Sequence, residues 1–578
     1  SFLEQFGEEG NVVVIAVRDS SLFTPDKFNR WNKLSKQLDA FPEVDFVLST
    51  DNLQELEKDN EKQEFTLRPF IKKTPTTKKE IDSLTNHLFN DLPFYDDVIF
   101  NKESKTVRTL IYLDKDIVNT SVRKDFILQD FNKLIANFEN ETGMDVHISG
   151  MPYVRTMNSQ NIIDEIGKFI LAALGVTSLI FFFFFRSFRA TFISMFVVII
   201  GVMWAFGILG LLRYEITVLT ALIPPLIIVI GIPNCIFLIN KYQQEVKKHG
   251  NQALSLQRVI SKIGNATLMT NITTASGFAT FIITDSKLLK EFGIVASINI
   301  IGIFILSLLI IPIVYSFMPL PKTKHLKHLN TRWIETFVNW MERIVRERRI
   351  TVYITSIVLL VVSIIGMYQI KISGSPIEDM PKNAEFFKDI RFFEEEFDGI
   401  MPVEIVVDTE RKKGVLKSTN LRKMDQIGDV IHEIPELSKP ISVVNMVKYS
   451  KQAFYNGMPK YYQLPTTQES TFIMDVARKS TNDGNLLKSF VDSTGQTARI
   501  TTYMRDVNTE RMEEIQGKLQ ENIDKIFPAD RYNVYLTGKA LLFLKGTKYL
   551  VKNLIMSLAL AIGLIALFMA YLFRSFRM

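Results

Sequence analysis

Seven apolar stretches govern what this chain can fold into. They fall at roughly 164–185, 190–212, 216–240, 264–284, 292–318, 350–370 and 552–573. A helix needs about 20 mainly apolar residues to cross the hydrocarbon of a bilayer, and each stretch reaches or approaches that length. A backbone in lipid must satisfy its own hydrogen bonds, so the stretches are expected as helices. The third contains Pro224, Pro225 and Pro233, which a spanning helix tolerates where neighbours satisfy the freed carbonyls. Average composition conceals the pattern. The chain is 47% hydrophobic, close to a soluble average, because long polar regions dilute the apolar ones. A net charge of +6 over 578 residues is mild and gives no support to nucleic-acid binding. The single cysteine, Cys235, lies in an apolar stretch, so disulfides do not hold the polar regions together.

Lys and Arg set a direction, since short basic loops stay on the cytoplasmic side. The linker 241–262 carries Lys241, Lys247, Lys248, Arg258 and Lys262. The linker 319–349 carries Lys322, Lys324, Lys327, Arg332, Arg343, Arg346, Arg348 and Arg349, and the turn after the first stretch adds Arg186 and Arg189. Loops on the other side hold Arg213 alone, or Lys287 and Lys290 partly offset by Asp285 and Glu291. Regions 1–160 and 371–550 are therefore expected together on the extracytoplasmic side. In the basic linker, Trp333, Phe337, Trp340 and Ile344 recur at helical spacing. This stretch, 330–347, reads as an amphipathic helix, on the inner membrane surface or against the ends of the bundle.

The chain also repeats itself. Residues 146–150 read VHISG and 534–538 read VYLTG; FRSFR occurs at 185–189 and again at 573–577. Both pairs, and Gly175 with Gly563, are separated by 388 positions without a gap, which points to internal duplication. Residues 2–17 and 393–408 share an aromatic-acidic segment followed by a β-rich run. Duplication predicts a further span before Ser1 and four after Met578, giving about twelve spans in two halves.

Each polar region shows strand, helix, strand twice over. The expected elements are 11–18, 25–40, 44–48, 107–113, 121–140 and 145–149 in the first. In the second they are 402–408, 419–434, 440–444, 497–504, 508–526 and 532–537. That order suits a ferredoxin-like α+β sandwich. The middles, 51–105 and 446–496, differ and read as inserted lobes, with a loop at 72–80. Neither region shows a His pair at metal-ligand spacing, a G-x-S-x-G turn or a phosphate loop, and acidic residues such as Glu394, Glu396, Glu513 and Glu514 read as solvated helix faces. No enzyme, metal or cofactor is expected.

Residues 270–281, TNITTASGFATF, followed by LLKEFGIVASINI at 288–300, resemble the Thr-Thr-x-x-Gly-Phe signature of the resistance-nodulation-division (RND) superfamily. Within it the chain is most similar to the MMPL-like branch, the third hydrophobe/amphiphile efflux family. The five stretches from 164 to 318 resemble a sterol-sensing domain, and the FRSFR turn fits. The fold class expected is an α-helical polytopic membrane bundle with two α+β ferredoxin-like extracytoplasmic (porter-type) domains, internally duplicated. Its parts are a porter-type domain (1–160), a five-helix membrane unit (161–320), a basic cytoplasmic linker (321–349) and a transmembrane helix (350–370). A second porter-type domain (371–550) and a further transmembrane helix (551–578), the first of a second bundle, complete it.

The resemblance implies export of a lipid or other hydrophobic or amphiphilic molecule from the inner membrane, driven by protons. The outside domains would form the substrate path and the bundle would carry the coupling ion. The partners implied are that substrate and the bilayer, with homo-oligomers or envelope proteins left open. One departure matters. Many MMPL-type members read G-I-D-Y in the central span, whereas 231–242 here reads GIPNCIFLINKY. Pro233 takes the Asp position and Asn234 the Tyr position, and no Asp, Glu, Lys, Arg or His lies within this span, 216–240. An intramembrane ionisable residue is the usual mark of a proton relay. Three accounts stay open: a relay in spans outside this sequence with Asn234 as its hydrogen-bonding partner, coordination of Na⁺ by Asn234 and carbonyls near Pro233, or no ion gradient at all. Asn234 also reads as a bond between helices. Thr270, Asn271, Thr273 and Thr274 read as a polar track facing the central span, or as small residues that let helices approach closely. Two other classes compete with export: a sterol- or lipid-sensing regulator without transport, and a Sec D/F-like protein-export auxiliary.

Overall fold

Strand β1 (Val12–Val17) shows why the first polar region folds. Val13, Ile15 and Val17 alternate into one core, the period of a strand, while Ala16 on the opposite face is buried with Phe393 and Phe397. Helix α1 (Pro25–Asp39) opens on a proline at its first position, which loses no helical hydrogen bond there. It buries Trp31, Leu34 and Leu38 against that core. Strand β2 (Val44–Leu48) follows. A hairpin of β3 (Gln54–Asp59) and β4 (Glu64–Pro69) then precedes helix α2 (Lys78–Asp91). Thr77 and Glu80 cap α2 reciprocally, so the loop expected at 72–80 ends at Thr77. Strands β5 (Phe100–Asn101) and β6 (Thr106–Leu113) lead to a helix, α3, that passes through a π-helical turn at Phe126–Phe131 and ends at Thr142. Strand β7 (His147–Ser149) completes a sheet of order β2-β6-β1-β7 with every pair antiparallel. At Gly150 (φ +104°) an added Cβ would lie 2.2 Å from the Val12 carbonyl oxygen, so only glycine lets the chain turn this close to β1.

The computed structural model describes residues 10–59, 61, 64–185, 187–320, 332–369, 374–375, 377, 380–479 and 490–573. Segment 2–9, Arg186, the linker lysines at 322, 324 and 327, and 574–577 of the repeated pentapeptide lie outside them. Helix α4 (Met151–Phe185) is followed by α5 (Phe188–Leu211), α6 (Ile223–His249), α7 (Gln252–Ala279) and α8 (Lys287–Ser316). Helix α9 (Arg332–Glu347) turns directly into α10 (Arg349–Tyr368). Phe337, Trp340, Met341 and Val345 on α9 are exposed.

Six described helices, not the expected seven, are long and apolar enough to cross a membrane by length and composition. The stretch expected as a span at 264–284 is helix α7 with a 3-10 turn at Thr280–Ile283. It falls short because Asn265, Thr267, Thr270, Asn271, Thr273, Thr274 and Ser276 punctuate it. It still packs as a bundle helix, and Ser297 Oγ of α8 donates to the Ala275 carbonyl at 3.0 Å. The bundle locks where Ile303 of α8 enters a notch made by Gly201 and Gly231. An added Cβ would lie 2.4 Å from Ile303 Cδ1 at Gly201 and 3.4 Å from Ile303 Cγ1 at Gly231.

Helix α11 (Glu385–Phe397) begins the second polar region and β8 (Met401–Asp408) follows. Then come α12 (Ser418–His432), β9 (Ile441–Ser442), α13 (Val443–Phe454) and α14 (Thr467–Lys479). Strand β10 (Thr497–Met504), α15 (Thr509–Ile526), β11 (Asn533–Thr537) and α16 (Lys539–Phe573) end the chain as described. The strand expected at 440–444 stops after two residues because Ser442 caps α13. The sheet order is β9-β10-β8-β11, again all antiparallel. Each strand thus holds the place its counterpart holds in the first sheet. Gly538 (φ +105°) repeats the turn of Gly150, with an added Cβ 2.5 Å from the Pro402 carbonyl oxygen. Helices α4 and α16 are each 35 residues, and both ends are 388 positions apart.

The chain divides into two units: Ser1–Asn158 with Ile372–Thr547, holding both sheets, and Ser159–Lys371 with Lys548–Met578, holding the bundle. Within the first unit α11 joins the two sheets. His147 Nδ1 on β7 meets Asp389 Oδ1 at 2.8 Å, and Phe392 stacks on the His147 ring at 3.7 Å. Arg108 on β6 is buried, donates to the carbonyls of Asp97 and Val98, and lies 4.1 Å over the Phe397 ring. Lys439 closes the same region with ion pairs to Asp96 at 2.9 Å and Asp97 at 2.8 Å. On β10 burial pushes the Tyr503 phenol up to about 12, with Tyr112, Arg108, Glu404 and Arg499 around it.

Candidate functional site

In the bundle, Asn234 and Asn271 face each other from α6 and α7. Asn234 Nδ2 donates to Asn271 Oδ1 at 3.2 Å, and Asn271 Nδ2 donates to Asn234 Oδ1 at 2.9 Å. Asn271 Nδ2 also donates to the Thr267 carbonyl at 2.7 Å. Both residues are buried. Two amides with matched donors and acceptors satisfy each other without water or charge, which suits a level of the membrane where nothing else is available. The other sequence-predicted positions do not join them. Pro233 sits inside α6 but is exposed. Thr270 is exposed. Thr273 and Thr274 donate to the carbonyls of Met269 and Thr270 on their own helix, at 2.7 and 2.8 Å. This back-bonding uses the one hydroxyl donor of each threonine inside its own helix and leaves none to donate to a neighbour.

Sequence reasoning missed two polar positions of the bundle. Asn299 on α8 is buried, donates to the Val295 carbonyl at 2.7 Å, and its Oδ1 has no partner among the described residues. Asn299 lies within the 288–300 stretch that carries the resemblance, but no spacing in that stretch singled out its side chain. Glu245, on the last turns of α6, is buried and meets Arg258 of α7 at 3.3 Å and His249 at 3.6 Å. The pairing ties the two helices on either side of their short connection.

The sheet-bearing unit holds a cleft of about 810 Å³ between β3, α2 and α13. His87 on α2 stands in its wall. His87 Nε2 meets both oxygens of Glu55 at 3.1 Å, and Nδ1 meets Asp91 at 2.8 Å. The Phe70 ring stacks on it at 6.0 Å. Hydrogen bonding to Glu55 first, and to Asp91, raises its pKa to about 9 against the opposing effect of burial. The imidazole is therefore a cation at neutral pH. The cleft brings together residues from the stretches 51–105 and 446–496. Tyr449 Oη accepts from the Leu56 amide at 3.0 Å, and Gln452 Nε2 donates to the Asp91 carbonyl at 2.7 Å. The i,i+4 spacing of His87 and Asp91 was visible in the sequence; the third member, Glu55, lies on a different element.

Long apolar helices, a polar contact without charge at their centre and a pair of like-ordered sheets define a polytopic helical membrane protein. The profile of the MMPL family matches residues 25–348, more than half of the chain, and the chain belongs to that family. A membrane protein of Methanocaldococcus jannaschii is 24% identical over 188 residues, which is 32% of this chain and 48% of that protein. The chain thus spans about half the length of that relative.

Proposed function

We propose that the protein is a membrane transporter that exports a lipid or other hydrophobic or amphiphilic molecule from the inner membrane. The observation that carries the reading is the MMPL match over 25–348. The two sheets are ferredoxin-like porter domains on the extracytoplasmic side, and the chain descends from a duplicated ancestor. Support for this comes from the shared strand order, the matched glycine turns and the constant 388-residue offset of α4 and α16.

The energy source is not a proton relayed at Asn234. An amide neither gains nor loses a proton near neutral pH, and its contact is another amide. Asn234 and Asn271 act as a latch between α6 and α7, and any coupling group acts on that latch from elsewhere. A lipid sensor is the second reading, favoured by the lack of any Asp, Glu, Lys, Arg or His from Ile223 to Asn240.

The test uses the intact protein in proteoliposomes containing a fluorescent lipid, under an imposed pH gradient, a Na⁺ gradient or neither. Gradient-dependent movement of the lipid between leaflets is expected. Lipid binding without movement under any condition would replace export by sensing.

A further inference from the structure

The cleft in the sheet-bearing unit carries charge that the fold leaves unused. Every carboxylate in its wall has an internal partner. Glu55 and Asp91 hold His87, Glu57 meets Arg68 Nη1 at 2.6 Å, and Glu80 accepts from the Thr76 and Thr77 amides at 2.8 and 3.0 Å. Those amides hold the Glu80 carboxyl at about 2. The lysines differ. Lys58, Lys72 and Lys73 line the cleft, and none has a carboxylate partner among the described residues. The Lys58 ammonium lies 4.1 Å from the centre of the Phe454 ring, and Lys72 and Lys73 are exposed at the rim. The lining also holds the apolar side chains of Leu56, Phe70, Leu84, Leu92 and Met458. The volume falls in the range of small-molecule sites, about 300–1,000 Å³.

We infer that this cleft binds an anionic single-chain amphiphile, its head between Lys58, Lys72 and Lys73 and its chain along Leu56, Phe70 and Met458. The charge balance selects the sign. With the carboxylates internally held, the groups left to meet a ligand are cations beside the apolar side chains of the lining. A cationic head would meet ammonium groups, and to reach a carboxylate it would have to displace His87 from Glu55 and Asp91, displace Arg68 from Glu57, or compete with the Thr76 and Thr77 amides at Glu80. The inference rests on the transporter reading only in calling the amphiphile a cargo; binding itself does not depend on it.

The test is equilibrium binding to the intact protein in a neutral maltoside detergent. The probes are a dansyl-labelled fatty acid and the amine of equal chain length. The acid is expected to bind about tenfold more tightly, and the preference to shrink as salt rises from about 0.05 M to about 0.5 M. Lys72→Glu with Lys73→Glu should weaken the acid about tenfold, while Lys115→Glu with Lys133→Glu, at exposed sites outside the cleft lining, should not. Met458→Trp, which narrows the cleft without altering charge, should weaken both probes. Equal binding of acid and amine, full binding by the Lys72/Lys73 variant, or equal loss in the Lys115/Lys133 variant would each overturn the inference. Lost lipid movement in proteoliposomes with intact acid binding would remove the transporter reading and leave the cleft standing.

Discussion

Replacing Asn234 by Leu should cost more than the bonds it removes. The side chain is buried and exchanges two hydrogen bonds with Asn271. Interhelical bonds in membranes are worth about 0.6 kcal/mol on average and about 1.7 at most, so two contribute roughly 1–2 kcal/mol. Asn234→Leu also leaves Asn271 Oδ1 without its donor, although Nδ2 keeps the Thr267 carbonyl. An orphaned buried acceptor adds roughly 1 kcal/mol. The single variant should therefore lose about 2–3 kcal/mol, and Asn271→Leu about as much. Combining them removes the orphan together with its partner, so the double variant should lose well under the sum. On these figures the double variant should lose about 1–2 kcal/mol, so the expected coupling is about 3–4 kcal/mol. Unfolding of the purified protein in mixed dodecyl sulfate and maltoside micelles, followed by helical circular dichroism, measures all four corners of the cycle. Losses that add to within about 0.4 kcal/mol would show two independent packing residues and refute the latch.

Gly201→Ala places a methyl 2.4 Å from Ile303 Cδ1 and should destabilise the bundle by about 1–3 kcal/mol. Ile303→Val removes that carbon and should restore most of the loss in the same unfolding titration. Gly150→Ala and Gly538→Ala each force a positive φ on alanine and drive its methyl into a backbone oxygen, so each should cost roughly 2–4 kcal/mol. Similar losses in thermal unfolding at the two positions are expected. His87 makes the sheet-bearing unit sensitive to alkali. Its folded pKa is raised to about 9, so its contribution is full below the ordinary imidazole value of about 6.5 and is lost as pH rises through about 9. Melting temperature against pH should fall over that window in the wild type, and His87→Gln should flatten the fall.

Much of the architecture was legible because it follows from periodicity. Strands at Val44–Leu48 and Thr497–Met504 coincide with their expected limits, since short runs rich in β-branched and aromatic residues between turn signals mark strands whether one face is covered or both. Periodicity failed where local capping decided the outcome. Ser442 and Asn445 cap a helix that displaces most of a β-like run, and Thr77 with Glu80 starts a helix inside a Lys/Thr-rich segment. The polar stretch of α7 carried the family motif, yet its threonines turn back on their own helix. Asn271 read as one member of a track facing the central span, but its pairing with Asn234 in particular was not legible, because which two side chains meet across helices depends on packing. The His87 bridge was hidden for a different reason: Glu55 reaches it from a hairpin whose place relative to α2 no local pattern encodes.

The amide latch also fixes what forces can reach it. A unit charge moved through a membrane potential gains or loses about 2.3 kcal/mol per 100 mV. Asn234 and Asn271 carry none. Their separation is electrically silent, and neither voltage nor external acidity does work on it directly. Only mechanical displacement of α6 from α7, or a group that competes for the same four amide donors and acceptors, can open it.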